Sequence, residues 1–102
     1  MNDSEKELKR NVLCFKANWC QTCKNQLEEF ENNPLNVSSI NFVEIYSSNT
    51  SRRLMKAFGI SDVPTTVLLS EKFNINDESS WNGSLIHKWI DFTPSDTINN
   101  FI

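Results

Sequence analysis

Cys20 and Cys23 stand two residues apart in "FKANWCQTCKNQLEEF", with Trp19 before the first and Lys24 after the second. Two thiols at that spacing can clip a metal, close a structural disulfide, or exchange disulfides with another molecule. A closed zinc site takes four Cys, His or carboxylate ligands, usually as two pairs. This chain offers one pair, a further cysteine inside an apolar run (Cys14) and one histidine (His87), so no metal is expected. A disulfide scaffold fits badly as well, because three cysteines leave one over. Disulfide exchange needs a thiolate, and a helix N-terminus stabilises one through its unpaired N–H groups and its dipole. With a helix starting at Cys20, Cys23 sits one turn inside and its sulfur can reach back to the first. Cys20 would then attack a substrate disulfide and Cys23 would release the mixed disulfide. A C-x-x-C alone is a weak signal, whereas next to a strand–helix–strand arrangement it is a redox signature.

The flanking pattern supplies those elements. Val12-Leu13-Cys14-Phe15 is a continuous apolar run, as expected of a strand buried on both faces. After it, Cys23, Leu27 and Phe30 recur at helical spacing with Glu28, Glu29 and Glu31 between them, and Asn33-Pro34 ends the helix. Residues 40–46, "INFVEIY", predict a second strand. Thr50 or Ser51 can cap a helix whose inner face is Leu54, Met55 and Phe58, with Gly59 at its C-terminal cap. Val67–Leu69 predicts the next strand. The polar stretch 71–84 reads as a long hairpin connection, and residues 85–92 as the final strand. Thr93-Pro94-Ser95-Asp96 opens a last helix with proline at its first position, and Ile98, Phe101 and Ile102 form its buried stripe. A capping box at Ser4-Glu5-Lys6-Glu7 predicts one more short helix, over 5–10. Strands joined through helices predict parallel pairs, and the last two strands an antiparallel hairpin.

A chain of 102 residues has room for one core, so a single domain spanning 1–102 is expected. A net charge of −3 speaks against a nucleic-acid partner, because phosphate binding needs clustered Lys and Arg. No apolar run approaches the roughly 18 residues of a spanning helix, so no membrane role is expected. The start "MNDSEKELKR" lacks the apolar centre of an export signal, which predicts a cytoplasmic location. A monomer is expected. His87 sits in an alternating segment that leaves it partly exposed, and no role is assigned to it.

Over nearly its whole length the chain resembles the thioredoxin family. Trp19-Cys20-Gln21-Thr22-Cys23-Lys24 is similar to that family's W-C-x-x-C-K active site, and "FGISDVPTTVLL" to its helix end, loop and strand around a cis-proline. The resemblance implies an α/β, thioredoxin-like fold with a central mixed sheet of four strands, the family's first strand lacking a counterpart, flanked by helices. It implies a thiol–disulfide oxidoreductase of the protein-disulfide reductase type. Cys20 and Cys23 would be catalytic, and Trp19, Val63, Pro64 and Thr65 would shape a substrate-docking groove with Pro64 in the cis form. It implies protein disulfides as substrates, a thiol reductase or other electron donor as partner, and no cofactor. A second reading, a thioredoxin-like binding or accessory module with little turnover, is weighed beside it. The chain also departs from the family. Gln21-Thr22 replaces Gly-Pro between the cysteines and, with Lys24, is expected to modulate the dithiol. Asp91 takes the place of a docking-surface glycine, which disfavours acidic substrate segments. Cys14 replaces a buried Asp that the family uses for proton exchange, and is expected to be an apolar core residue with a third redox thiol as the alternative.

Overall fold

The computed structural model describes residues 9–102. Four strands and three helices follow in the order β1 (Asn11–Lys16), α1 (Gln21–Asn32), β2 (Ser39–Glu44), α2 (Asn49–Phe58), β3 (Thr65–Leu69), β4 (Leu85–Ile90) and α3 (Ser95–Phe101), with a 3-10 turn at Glu78–Ser80 before β4. The capping box at Ser4–Glu7 and residues 5–8 of the helix it predicts lie outside the described residues, and Lys9 and Arg10 are not helical.

The sheet order is β2-β1-β3-β4. β1 runs parallel to β2 and antiparallel to β3, and β3 and β4 form the expected antiparallel hairpin. The parallel expectation therefore holds for β1 and β2 and fails for β3. Thr65 opens β3 opposite Phe15, whose partner on β2 is Val43 near that strand's end. α2 and the loop after it bring the chain back to the end of the sheet it had just left.

β1 is central, and Val12, Leu13, Cys14 and Phe15 are all buried. Alternation sends Leu13 and Phe15 to one face, against Leu54, Met55 and Phe58 of α2. It sends Cys14 to the other, against Phe30 of α1 and Ile98 of α3. α2 ends as its sequence predicts, with Gly59 left-handed at φ 65°. Its N-cap is Ser48, not Thr50 or Ser51, because the Ser48 side chain accepts from Ser51 N (3.0 Å) while the Ser51 hydroxyl donates to Glu44 O (2.6 Å).

Three further expectations are corrected. β2 and β4 stop at Glu44 and Ile90, since Tyr46 and Asp91 turn to positive φ, 57° and 76°. Pro94 is the N-cap of α3 and not its first helical residue; of the apolar residues there, Ile98 is buried, Ile102 half-buried and Phe101 exposed. Phe101 lies over the outer strand, its ring 4.5 Å from that of His87 and edge-on to Trp89. Finally, the polar connection 71–84 closes one end of the core with Phe73 and Trp81, both buried in the cluster under α2. Trp81 Nε1 donates to Asn74 O (2.9 Å), which satisfies the indole's one polar group.

Candidate functional site

Cys20 is the N-cap of α1, in extended conformation, and its sulfur accepts from Cys23 N at 3.1 Å. A cap residue places its side chain against the orphan N–H groups of the first turn. The first-turn N–H is thus aimed at the sulfur that would act as nucleophile. Cys20 N donates to Ala17 O (3.1 Å), closing the turn between β1 and α1. That turn is held by charge: Lys16 and Glu44, cross-strand partners, pair at 3.1 Å. Lys16 Nζ also donates to Asn18 Oδ1, and Asn18 N donates to the second Glu44 oxygen, each at 3.1 Å. The lysine, with the Asn18 amide, keeps the Glu44 carboxyl below the usual carboxylate range.

Cys20, Cys23 and Ala17 form a small buried cluster, with Ile45 and Val63 packed against it. All three cysteines are free thiols. Burial pushes the Cys23 thiol up to about 12, and its hydrogen bond with Cys20 adds to the shift. Cys14 lies on the other sheet face of β1, 1% exposed, with Thr66 Oγ1 3.7 Å from its sulfur. Burial pushes it up to about 11. Gln21, Thr22 and Lys24 all face solvent, and Gln21 bonds Asn25 at 3.1 Å.

The Val63–Pro64 bond is cis. Val63 touches the dithiol cluster, and Pro64 O accepts from Asp91 N at 2.8 Å. Thr65 is buried, and its hydroxyl donates to Asp62 O (2.6 Å), so it braces the turn from inside. Asp91 bonds the next N–H through its own carboxylate (2.7 Å), a local contact that suits its left-handed backbone. Beside Cys20, Trp19 is 78% exposed and borders an open groove of about 290 Å³. The groove floor is Ile45, Met55, Ile60 and Val63, and Tyr46 and Asp62 stand at its rim.

The fold thus gathers Trp19, Cys20, Cys23, Val63 and Pro64 at one end of the sheet. His87 is two strands away from β1, and its ring lies tilted against Trp89 at 4.6 Å. Sequence reading passed over Tyr46, the Lys16–Glu44 pair and Gln26. Gln26 is fully buried where Leu27 was expected, and Leu27 is half-buried. The signal for it existed: residues 23, 26 and 30 share a helix face as well as 23, 27 and 30 do.

No family model matches the chain, and no curated protein sequence matches it. Solved structures do. A mutant thioredoxin from Halobacterium salinarum superposes with TM-score 0.67 at 18% identity, over 98% of this chain and 77% of that one. The exposed lipoprotein thioredoxin of Streptococcus pneumoniae gives 0.67 at 16% identity, over 96% and 86%. Thioredoxin F from spinach chloroplast, short form, gives 0.63 at 23% identity, over 92% and 73%. With its mixed four-stranded sheet and flanking helices, the chain has the fold of the thioredoxins.

Proposed function

We propose that the protein is a thiol–disulfide oxidoreductase that reduces disulfides in other proteins through Cys20 and Cys23. The observation that carries this reading is the Cys20 sulfur at the head of α1, 3.1 Å from Cys23 N and next to the cis Val63–Pro64 turn. A free dithiol placed so can run exchange without a cofactor, because the substrate disulfide is itself the oxidant.

Cys20 sulfur attacks one substrate sulfur; the substrate S–S bond breaks and the departing thiolate takes a proton. Cys23 then attacks the Cys20 sulfur, the Cys20–Cys23 bond forms, and the second substrate thiolate leaves. Two electrons pass to the substrate, and the two thiol protons end on its sulfurs. Cys23 needs a proton acceptor at that second step, because burial favours its protonated form. The departing substrate thiolate fills that part. An external dithiol or a thiol reductase then returns the pair to the reduced form.

The raised Cys23 thiol also favours the second reading, an accessory module with little turnover. Insulin reduction driven by dithiothreitol separates the two. We expect turnover by wild type, none by Cys20→Ser, and a single trapped mixed disulfide with Cys23→Ser, seen by mass spectrometry. Absence of wild-type turnover selects the accessory module, equal trapping by both variants voids the assignment of roles to the two thiols, and trapping by Cys20→Ser alone reverses it.

A further inference from the structure

Gln26 lies one turn beyond Cys23 on α1 and is fully buried. Both ends of its amide meet the backbone of Thr93: Nε2 donates to Thr93 O at 2.9 Å, and Oε1 accepts from Thr93 N at 2.7 Å. A neighbouring strand would offer the same pair of bonds. Here a helix side chain supplies them, to a segment 67 positions later in the sequence. Thr93 is itself buried, so its N–H and C=O have no water to turn to if the amide is lost.

Two residues before Thr93, Asp91 N donates to Pro64 O (2.8 Å), and Val63 packs against the cluster of Ala17, Cys20 and Cys23. The links close a ring that runs from Cys23 to Gln26, Thr93, Asp91, Pro64 and Val63, and by contact back to the dithiol. Glu29, about one turn further along α1, doubles the tie by accepting from Ser95 N at 2.8 Å.

We propose that Gln26 is a positioning residue: through Thr93 and Asp91 it holds the Val63–Pro64 backbone at a fixed separation from the thiols on its own helix. This rests on the exchange reading above. A protein substrate must bring one sulfur in line with Cys20 while its chain lies along Val63–Pro64. A displacement of that wall by about 1 Å is enough to cost on the order of a hundredfold in rate. A small disulfide that reaches Cys20 without touching the wall does not feel it.

The test compares two probes, insulin and the small aromatic disulfide dithiobis(nitrobenzoate), on wild type, Gln26→Leu and Gln26→Glu. For Gln26→Leu we expect kcat/KM on insulin to fall about tenfold or more, mostly through KM, with the small probe within about twofold of wild type. Gln26→Glu offers a conservative rescue. Its protonated carboxyl can donate to Thr93 O and accept from Thr93 N, whereas its carboxylate faces the Thr93 carbonyl with like charge. The ratio of insulin rate to small-probe rate, in which the thiolate fraction cancels, is therefore expected near the wild-type value in acid and to fall as pH rises. Equal losses on both probes, no loss on either, or a Gln26→Glu ratio flat in pH overturns the proposal. If Gln26→Leu does not fold, the Gln26→Glu ratio decides alone. A wild type that leaves insulin intact overturns the exchange reading itself, and the role of Gln26 falls with it.

Discussion

At the scale of single residues, the two active-site candidates and the third cysteine differ in surroundings more than in chemistry. Cys20 and Cys23 could be read from the sequence because both signals are local: their spacing, and the switch from an apolar strand to a helical pattern between Cys14 and Phe30. Gln26 could not. A polar side chain on the inner face of a helix becomes intelligible only when its partner is known, and Thr93 lies 67 residues away. Cys14 takes no hydrogen-bonding part at the dithiol and packs between Phe30 and Ile98. Its thiol, raised from the ordinary 9.0 to about 11, carries a pH prediction. The folded state keeps the proton after the unfolded chain has lost it. Stability from this group is therefore complete below about pH 9, and declines as pH rises from there toward 11. The two-unit gap corresponds to at most roughly 3 kcal/mol. Cys23, pushed up to about 12, acts in the same direction. We expect Cys14→Ala to flatten part of that decline in urea unfolding measured at successive pH values. Its insulin turnover should stay within about twofold of wild type, because inert buried thiols are replaceable. A Cys14–Cys23 disulfide in the mildly oxidised wild type would contradict this.

At the scale of elements, the helices end where local chemistry says they should, while the strands are paired by forces the sequence does not display. Gly59 illustrates the first point. Its φ of 65° is a conformation that costs an L-residue, and a Cβ there would meet Lys88 Nζ at 3.4 Å. That ammonium bonds Phe58 O and Gly59 O, each at 3.1 Å, and so closes the C-terminus of α2. Gly59→Ala should cost about 1 kcal/mol from the backbone alone. Because Lys88 bonds the Gly59 carbonyl itself, the two sites share a partner, and the loss in Gly59→Ala/Lys88→Met should differ from the two single losses added. Thermal unfolding of the four proteins gives the comparison; strict additivity would mean that cap and backbone are independent. β3 illustrates the second point. Its five residues are all buried, and nothing in "TTVLL" tells a parallel from an antiparallel neighbour. The direction is set by where α2 delivers the chain, a property of helix length and turn geometry.

At the scale of the whole molecule, the core lies on both faces of a thin sheet, and each face depends on a different piece of chain to close it. α1 and α3 cover the face that holds Cys14, whereas α2 covers the other with help from the connection after β3. Composition hides that help, because twelve of the fourteen residues from 71 to 84 are neither Phe nor Trp and most face solvent. Phe73 and Trp81 nevertheless sit 6.4 Å apart, ring to ring, inside the cluster. Trp81→Ala should therefore cost about 3–5 kcal/mol, as large a loss as any in the main core. Per folded molecule, its reaction with dithiobis(nitrobenzoate) should match wild type, and a slowed thiol reaction at full folding would show that the two regions are coupled. Their separation follows from the strand register: Asn11 pairs with Leu69 at one end of β1, and the chain reaches the dithiol only after Lys16, roughly 17 Å of strand away. The molecule thus has poles. Fixed to an electrode or a bead through the exposed Glu71, which lies beside Asn11 at the far end of β1, it would turn its thiols outward to the solution. Surface attachment then comes with a built-in orientation.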